Sequence, residues 1–227
     1  ARRAMLERGL LPDFSSAALA ELKQLRLSAP SDDSTVRDKC SLLWASLDND
    51  DSRDLDQLTF AEALPDGRIK ILVAIADVDA FVKNDSELDK HARHNTSSVY
   101  TAAEIFPMLP EEISTDITSL NFDQDRLAII IEMVVNEQGM LDDSKIYRAW
   151  VRNHAKLAYN SVAAWLDKKG NMPEEMADVP GLAENLQLQD QAAQRLKKLR
   201  HINGALSLET IEAKLVFEGD QLYSLET

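Results

Sequence analysis

Between positions 48 and 56, five of nine residues are aspartates: Asp48, Asp50, Asp51, Asp54 and Asp56. Carboxylates this crowded repel one another unless water or a cation neutralises them. Hard oxygen ligands suit Mg²⁺, Mn²⁺ or Ca²⁺. In an extended chain Asp54 and Asp56 project to the same side, because side chains alternate with a period of two. Asp48, six residues before Asp54, could fold back from the loop to join them. Three converging carboxylates would hold one or two divalent cations. Such ions can position a water, stabilise a leaving oxygen and cleave a phosphodiester. Taken alone, an Asp-rich stretch more often reads as a solvated loop. A Ca²⁺ loop of EF-hand type is rejected. Asp48, Asp50 and Ser52 have its early spacing, but Arg53 stands where the turn needs Gly and Thr59 where the bidentate Glu belongs.

Other groups carry weaker signals. His91 and His94 lie three apart on a predicted helix and could share a ligand. No third ligand is evident, and a surface helix is the plainer reading. Arg195, Lys197, Lys198, Arg200 and His201 crowd the end of a long predicted helix, where basic side chains complement the helix dipole. Phosphate contact is the alternative. Tyr100 could stack on a base, although by itself it reads more readily as a partly buried core tyrosine. Cys40 has only Lys39 beside it and is read as structural. The sequence has no Gly-rich phosphate loop and no Gly-x-Ser-x-Gly elbow.

The elements that must position these groups are read from pattern. Ser15 caps a predicted helix over 15–25, with Phe14 and Leu19 at hydrophobic-staple spacing and Leu19, Leu22 and Leu25 as its apolar stripe. Residues 28–34 are polar and broken by Pro30, so they read as a linker. The acidic run leads into a strand at 58–64, a turn at Pro65-Asp66-Gly67 and a strand at 68–78. In that second strand Ile69, Ile71, Val73 and Ile75 form one face, and burial is expected to increase toward its end. The Asp-Gly turn predicts a hairpin. A helix is predicted over 86–94 with Ser86 as cap, and Pro107 and Pro110 bracket a loop. Strands at 127–135 and 145–151 flank a turn at 136–139. Helices are predicted at 159–166 and 182–201, and a third hairpin at 214–217 and 221–225. Hairpins interspersed with helices predict an α+β fold, with a mostly antiparallel sheet built from hairpins and flanking helices.

The chain of 227 residues suits one large domain or two small ones. At 44% hydrophobic and 28% charged residues it has the composition of a soluble globular protein. The longest apolar run, near 127–135, is broken by Glu132, so no membrane span is expected. The first residues lack a signal-peptide pattern. One cysteine excludes an intrachain disulfide and makes a reducing cytoplasm the expected compartment. A net charge of −14 argues against nonspecific nucleic-acid binding. An acidic nuclease can still carry a basic track on one face or in another domain. The chain opens on Ala1, and a piece of a longer polypeptide is expected.

Several segments, in this order, resemble the catalytic (RNB) domain of the ribonuclease II / ribonuclease R family of processive 3′→5′ exoribonucleases. Residues 47–57 are similar to its Ile-Asp-x-x-x-x-x-Asp-x-Asp-Asp segment. Ala74-Ile75-Ala76-Asp77-Val78 is similar to its Ile-Ala-Asp-Val strand. Residues 97–110 resemble its Ser-Val-Tyr … Ile-Pro-Met-Leu-Pro segment. Ser119-Leu120-Asn121, Asp125-Arg126-Leu127 and residues 201–208 match what comes after. The resemblance covers 37 to the end, read as the N-terminal half of the RNB domain, with 1–36 as a helical connecting segment and linker. It implies that Asp48, Asp54 and Asp56 organise Mg²⁺, or Mn²⁺, and the attacking water. It implies that Tyr100 stacks on a base near the RNA 3′ end. Single-stranded RNA is the implied partner, with no DNA and no membrane. The remainder of the catalytic domain and the RNA-binding domains are expected in the parent chain. Gln57 departs from the pattern, which has a fourth Asp there: an amide oxygen can still meet a metal, but a negative charge is gone. The rival expectation is a degenerate RNB-like domain that binds RNA or protein without catalysis.

Overall fold

The computed structural model describes residues 1–25, 35–101, 104–206, 214–218 and 221–226, the last two stretches as backbone. The linker expected at 28–34 lies outside the described residues. Helix α1 spans Arg2–Glu7 and α2 spans Ser16–Leu22. Ser15 caps α2 as expected, its hydroxyl oxygen accepting from Ala18 N at 3.0 Å. The predicted stripe is corrected in one place: Leu19 is 42% exposed, and Ala18 and Leu22 are the buried pair. Phe14 packs instead on His91, with ring centroids 4.2 Å apart.

Short β1 (Arg37–Asp38) precedes β2 (Trp44–Asp48), β3 (Gln57–Ala63) and β4 (Ile69–Ala76). The β3–β4 hairpin forms through Gly67 at φ +79°, a backbone conformation open to glycine. A 3₁₀ turn (Val78–Ala80) leads to α3 (Glu87–Asn95), capped by Ser86, and to the two-residue pair β5 (Val99–Tyr100) and β6 (Ile105–Phe106). A π-helical stretch (Glu112–Ile117) precedes β7 (Asp125–Val135) and β8 (Leu141–Ala158). Helices α4 (Tyr159–Leu166), α5 (Glu174–Ala177) and α6 (Leu182–Ile202) come next, then the antiparallel pair β9 (Lys214–Glu218) and β10 (Gln221–Glu226).

Strand β8 is 18 residues long because its two halves serve different partners. Residues 141–152 pair antiparallel with β7, and residues 153–158 pair parallel with β2. The ladders therefore run β8–β2–β3–β4–β7 and back to β8, a closed ring, with β1 added in parallel at Ala149 and Trp150. The α+β fold with a mostly antiparallel sheet is thus the one expected.

A ring of few strands encloses little space, and small side chains share it with large ones. Ala74, Ala76, Ala128 and Ala149 lie inside with Trp44, Leu58, Leu72 and Ile130. Burial along β4 alternates rather than increasing toward its end as expected. The strand's inner face is Leu72, Ala74 and Ala76, whereas Ile69 and Ile71 turn outward beneath α6 and Ile75 is 36% exposed. Outside, α4, α5 and α6 cover Ala45, Ala155 and Leu157. A separate cluster joins α2 and α3 to the π-helical stretch through Leu22, Leu88, Leu109, Ile113 and Ile117. Among the described residues, no helix is long and apolar enough to cross a membrane.

Candidate active site

Asp48 is the last residue of β2, not a loop residue as expected from sequence. Its Oδ1 accepts from Asn49 N at 2.7 Å and from Ser52 Oγ at 2.9 Å, closing a tight turn over 48–52. The chain then passes through Leu55, which is buried in the ring core. Leu55 N donates to Ser119 Oγ at 3.0 Å, and Leu120 N donates to Leu55 O at 2.8 Å. Asp56 O accepts from Ala76 N at 2.9 Å. With Leu55 pinned inward, Asp54 and Asp56 are both turned outward.

The Ser119-Leu120-Asn121 and Asp125-Arg126-Leu127 segments thereby acquire a physical reason. Arg126 Nε donates to Ser119 O at 3.1 Å and its Nη2 to Asp116 O at 3.2 Å, holding the residues that hold Leu55.

Asp48, Asp54 and Asp56 line one cleft of about 830 Å³. Tyr100, Ile105, Met108 and Ile75 line it too. Tyr100 is 68% exposed, which corrects its reading as a partly buried core tyrosine. It pairs in register with Ile105, so the two side chains share a face of the β5–β6 hairpin. Asp56 is exposed by surface area, yet the cleft around it displaces water. That desolvation, and then the negative charges of Asp54 and Asp48, push its carboxyl above the ordinary aspartate range. Desolvation, and then the negative charges of Asp54 and Asp56, raise the Tyr100 phenol. Asp54 and Asp48 are thus near enough to be felt at Asp56.

The donor chemistry fits a hard divalent cation: oxygen ligands only, under like-charge pressure that a cation would relieve. Among the described residues, as placed, no set of three His, Cys, Asp or Glu is grouped to ligate a metal. Gln57 is the exposed first residue of β3 and is not among the residues lining the cleft. Asp51, one of the loop aspartates, does line it.

The other sequence candidates lie elsewhere. His91 is buried against Phe14 and Asn95, which overturns the surface-helix reading. His94 meets Gly9 O at 2.7 Å. The basic end of α6 lies by the 136–139 turn and Gly67, at the opposite end of β3 and β4 from the aspartates. Cys40 is half-buried, and burial with Asp125 and Asp38 nearby pushes its thiol up to about 12, as suits a structural residue. Sequence reasoning missed Ile105 and Lys156. Lys156 Nζ donates to Ser52 O at 2.6 Å. It comes near only through the parallel β2–β8 pairing, which leaves no local signal.

A sequence model described as the RNB domain matches residues 36–226. Ribonuclease R of Vibrio parahaemolyticus is 37% identical over 176 residues, covering 78% of this chain and 21% of that protein. Exoribonuclease 2 of Escherichia coli is 34% identical over 173 residues, covering 75% of this chain and 26% of that protein. The chain therefore spans about a quarter or less of these curated relatives. The solved Mycoplasma genitalium RNase R in complex with double-stranded RNA superposes with a TM-score of 0.84 at 26% identity, covering 95% of this chain and 38% of that one. With its ring of strands, its acidic cleft and a family match over most of its length, this chain belongs to the RNB domain family.

Proposed function

We propose that the chain is the N-terminal half, residues 37–227, of the catalytic domain of a metal-dependent, processive 3′→5′ exoribonuclease. Its substrate would be single-stranded RNA, its products nucleoside 5′-monophosphates and its compartment the cytoplasm. Residues 1–36 would connect to preceding RNA-binding domains. The observation that carries this reading is the shared cleft of Asp48, Asp54, Asp56 and the exposed Tyr100, in a chain of the RNB family. A bound Mg²⁺, or Mn²⁺, supplies charge neutralisation at the scissile phosphate and activation of water. Asp48, Asp54 and Asp56 hold and orient that ion, with Gln57 able to add at most a neutral oxygen. Tyr100 presents its ring face to the terminal base, and stacking positions the last phosphodiester over the carboxylates. Ile105 beside it adds an apolar surface to that part of the cleft.

The test is degradation of labelled single-stranded RNA with Mg²⁺ by the complete polypeptide and by its Asp56→Asn variant. Turnover is expected to fall by about 10²-fold or more, the scale for misplacing the reacting groups. A variant as fast as the parent would remove the assigned roles.

A further inference from the structure

The turn that carries Asp48 is tied to the ring by Lys156. Lys156 stands on β8 in register with Ser46 of β2, two residues before Asp48. Its Nζ reaches across to Ser52 O at 2.6 Å, a short charge-assisted bond. Ser52 N donates to Asn49 O at 3.2 Å, and Ser52 Oγ donates to Asp48 Oδ1 at 2.9 Å. Ser52 can reach Asp48 only while the turn stays closed. Lys156 anchors that closure on a strand whose own position is fixed by the ladder. Asn49 N and Ser52 Oγ both bond Oδ1, which sets the plane of the carboxylate. Without such bonds a carboxylate beside Asp54 and Asp56 would swing away from their negative charge.

We infer that Lys156 is a positioning residue: through the carbonyl and the hydroxyl of Ser52 it sets Asp48 in the orientation that receives the divalent cation. Lys156 does not line the cleft, so it does not touch substrate. The inference rests on the reading of Asp48 as a cation ligand. Groups that orient ligands from behind are worth about 10–100-fold in metal affinity.

The experiment is Mn²⁺ binding to the complete polypeptide, without RNA, followed by calorimetry and by the electron paramagnetic resonance of free Mn²⁺. Lys156→Met and Ser52→Ala are each expected to weaken binding about tenfold or more. Lys156→Arg keeps one donor for the carbonyl and should bind within about twofold of the parent. Metal-free melting curves show which variants are folded. If Lys156→Met does not fold, Ser52→Ala, which removes a single hydroxyl, carries the test. Parent-like Mn²⁺ affinity in folded Lys156→Met and in Ser52→Ala, with affinity lost in Asp48→Asn, overturns the inference and leaves the proposed function standing. If the parent binds no Mn²⁺, or Asp48→Asn binds as the parent does, the reading of Asp48 fails and the inference fails with it.

Discussion

Asp56 holds its proton more tightly than an ordinary aspartate, because the cleft displaces water and Asp54 and Asp48 are negative. A carboxyl raised in the folded state contributes stability that is full below its unfolded value and is lost as pH rises through its folded value. At neutral pH the charged Asp56 therefore opposes folding. Asp56→Asn should raise the metal-free melting temperature at pH 7, by a few degrees at most, since solvent at the cleft mouth screens the charge. The gain should vanish below about pH 4, where the unfolded carboxyl is also protonated. Melting curves in chelator at the two pH values check both halves; a less stable Asp56→Asn at pH 7 would contradict the like-charge account. Gln57 invites the reverse experiment. Because it is not among the cleft-lining residues, Gln57→Asp should change Mg²⁺-dependent RNA turnover by less than about tenfold, or 1.4 kcal/mol of barrier. A steep rise from near zero would favour the degenerate-domain reading instead.

The β7–β8 turn meets α6 at a glycine. Gly139 has φ +81°, and a Cβ there would lie 2.3 Å from Arg195 O. Gly139→Ala adds a left-handed backbone cost to a backbone collision, about 2–4 kcal/mol together in denaturant unfolding. A loss within error of zero would mean that the turn is free to leave α6. Asn185 of α6 serves β3 differently. Its amide accepts from Ala61 N at 3.1 Å and donates to Ala61 O at 2.7 Å, standing in for a strand partner. Hairpins such as β3–β4 were legible because turn residues and a period of two are local signals. Strand β2 was not, because its long ladder is to residues 153–158, far along the chain. Asp48 was consequently read as a loop residue, and Lys156 was invisible. The alternation of burial along β4 was not legible for a related reason. Large Ile residues look like core, but a narrow closed ring favours the Ala74 and Ala76 side. Asp54 and Asp56 were legible because Leu55 between them is an ordinary apolar anchor.

The cleft lies between the ring, which carries the carboxylates, and a cap of α3, the π-helical stretch and the Tyr100 hairpin. The first 25 residues brace that cap. Glu21 Oε2 accepts from Glu87 N at 2.8 Å and Leu88 N at 3.2 Å, filling open donors at the start of α3. Asn95 grips Leu11 by both its backbone groups, each at 2.9 Å, and Arg2 Nη1 meets Glu104 at 3.2 Å beside β6. His91 lies buried inside this brace, facing Phe14, Asn95 and His94. Burial, and then the charge of His94, lower its affinity for a proton. A histidine lowered in the folded state leaves the fold intact above its unfolded value, near 6.5, and costs stability as pH falls through that value toward the folded one. Asp56 acts in the opposite sense at lower pH, so the two contributions need separating. In an Asp56→Asn background, stability should decline from pH 7.5 to 5.5 more steeply with His91 than with His91→Gln. Amide exchange in α2 and α3 should quicken over the same interval only where His91 is present. Equal slopes and equal exchange would show that the brace does not sense His91. If the slopes differ, acid loosens the wall that carries Tyr100. RNA affinity should then fall over the same interval.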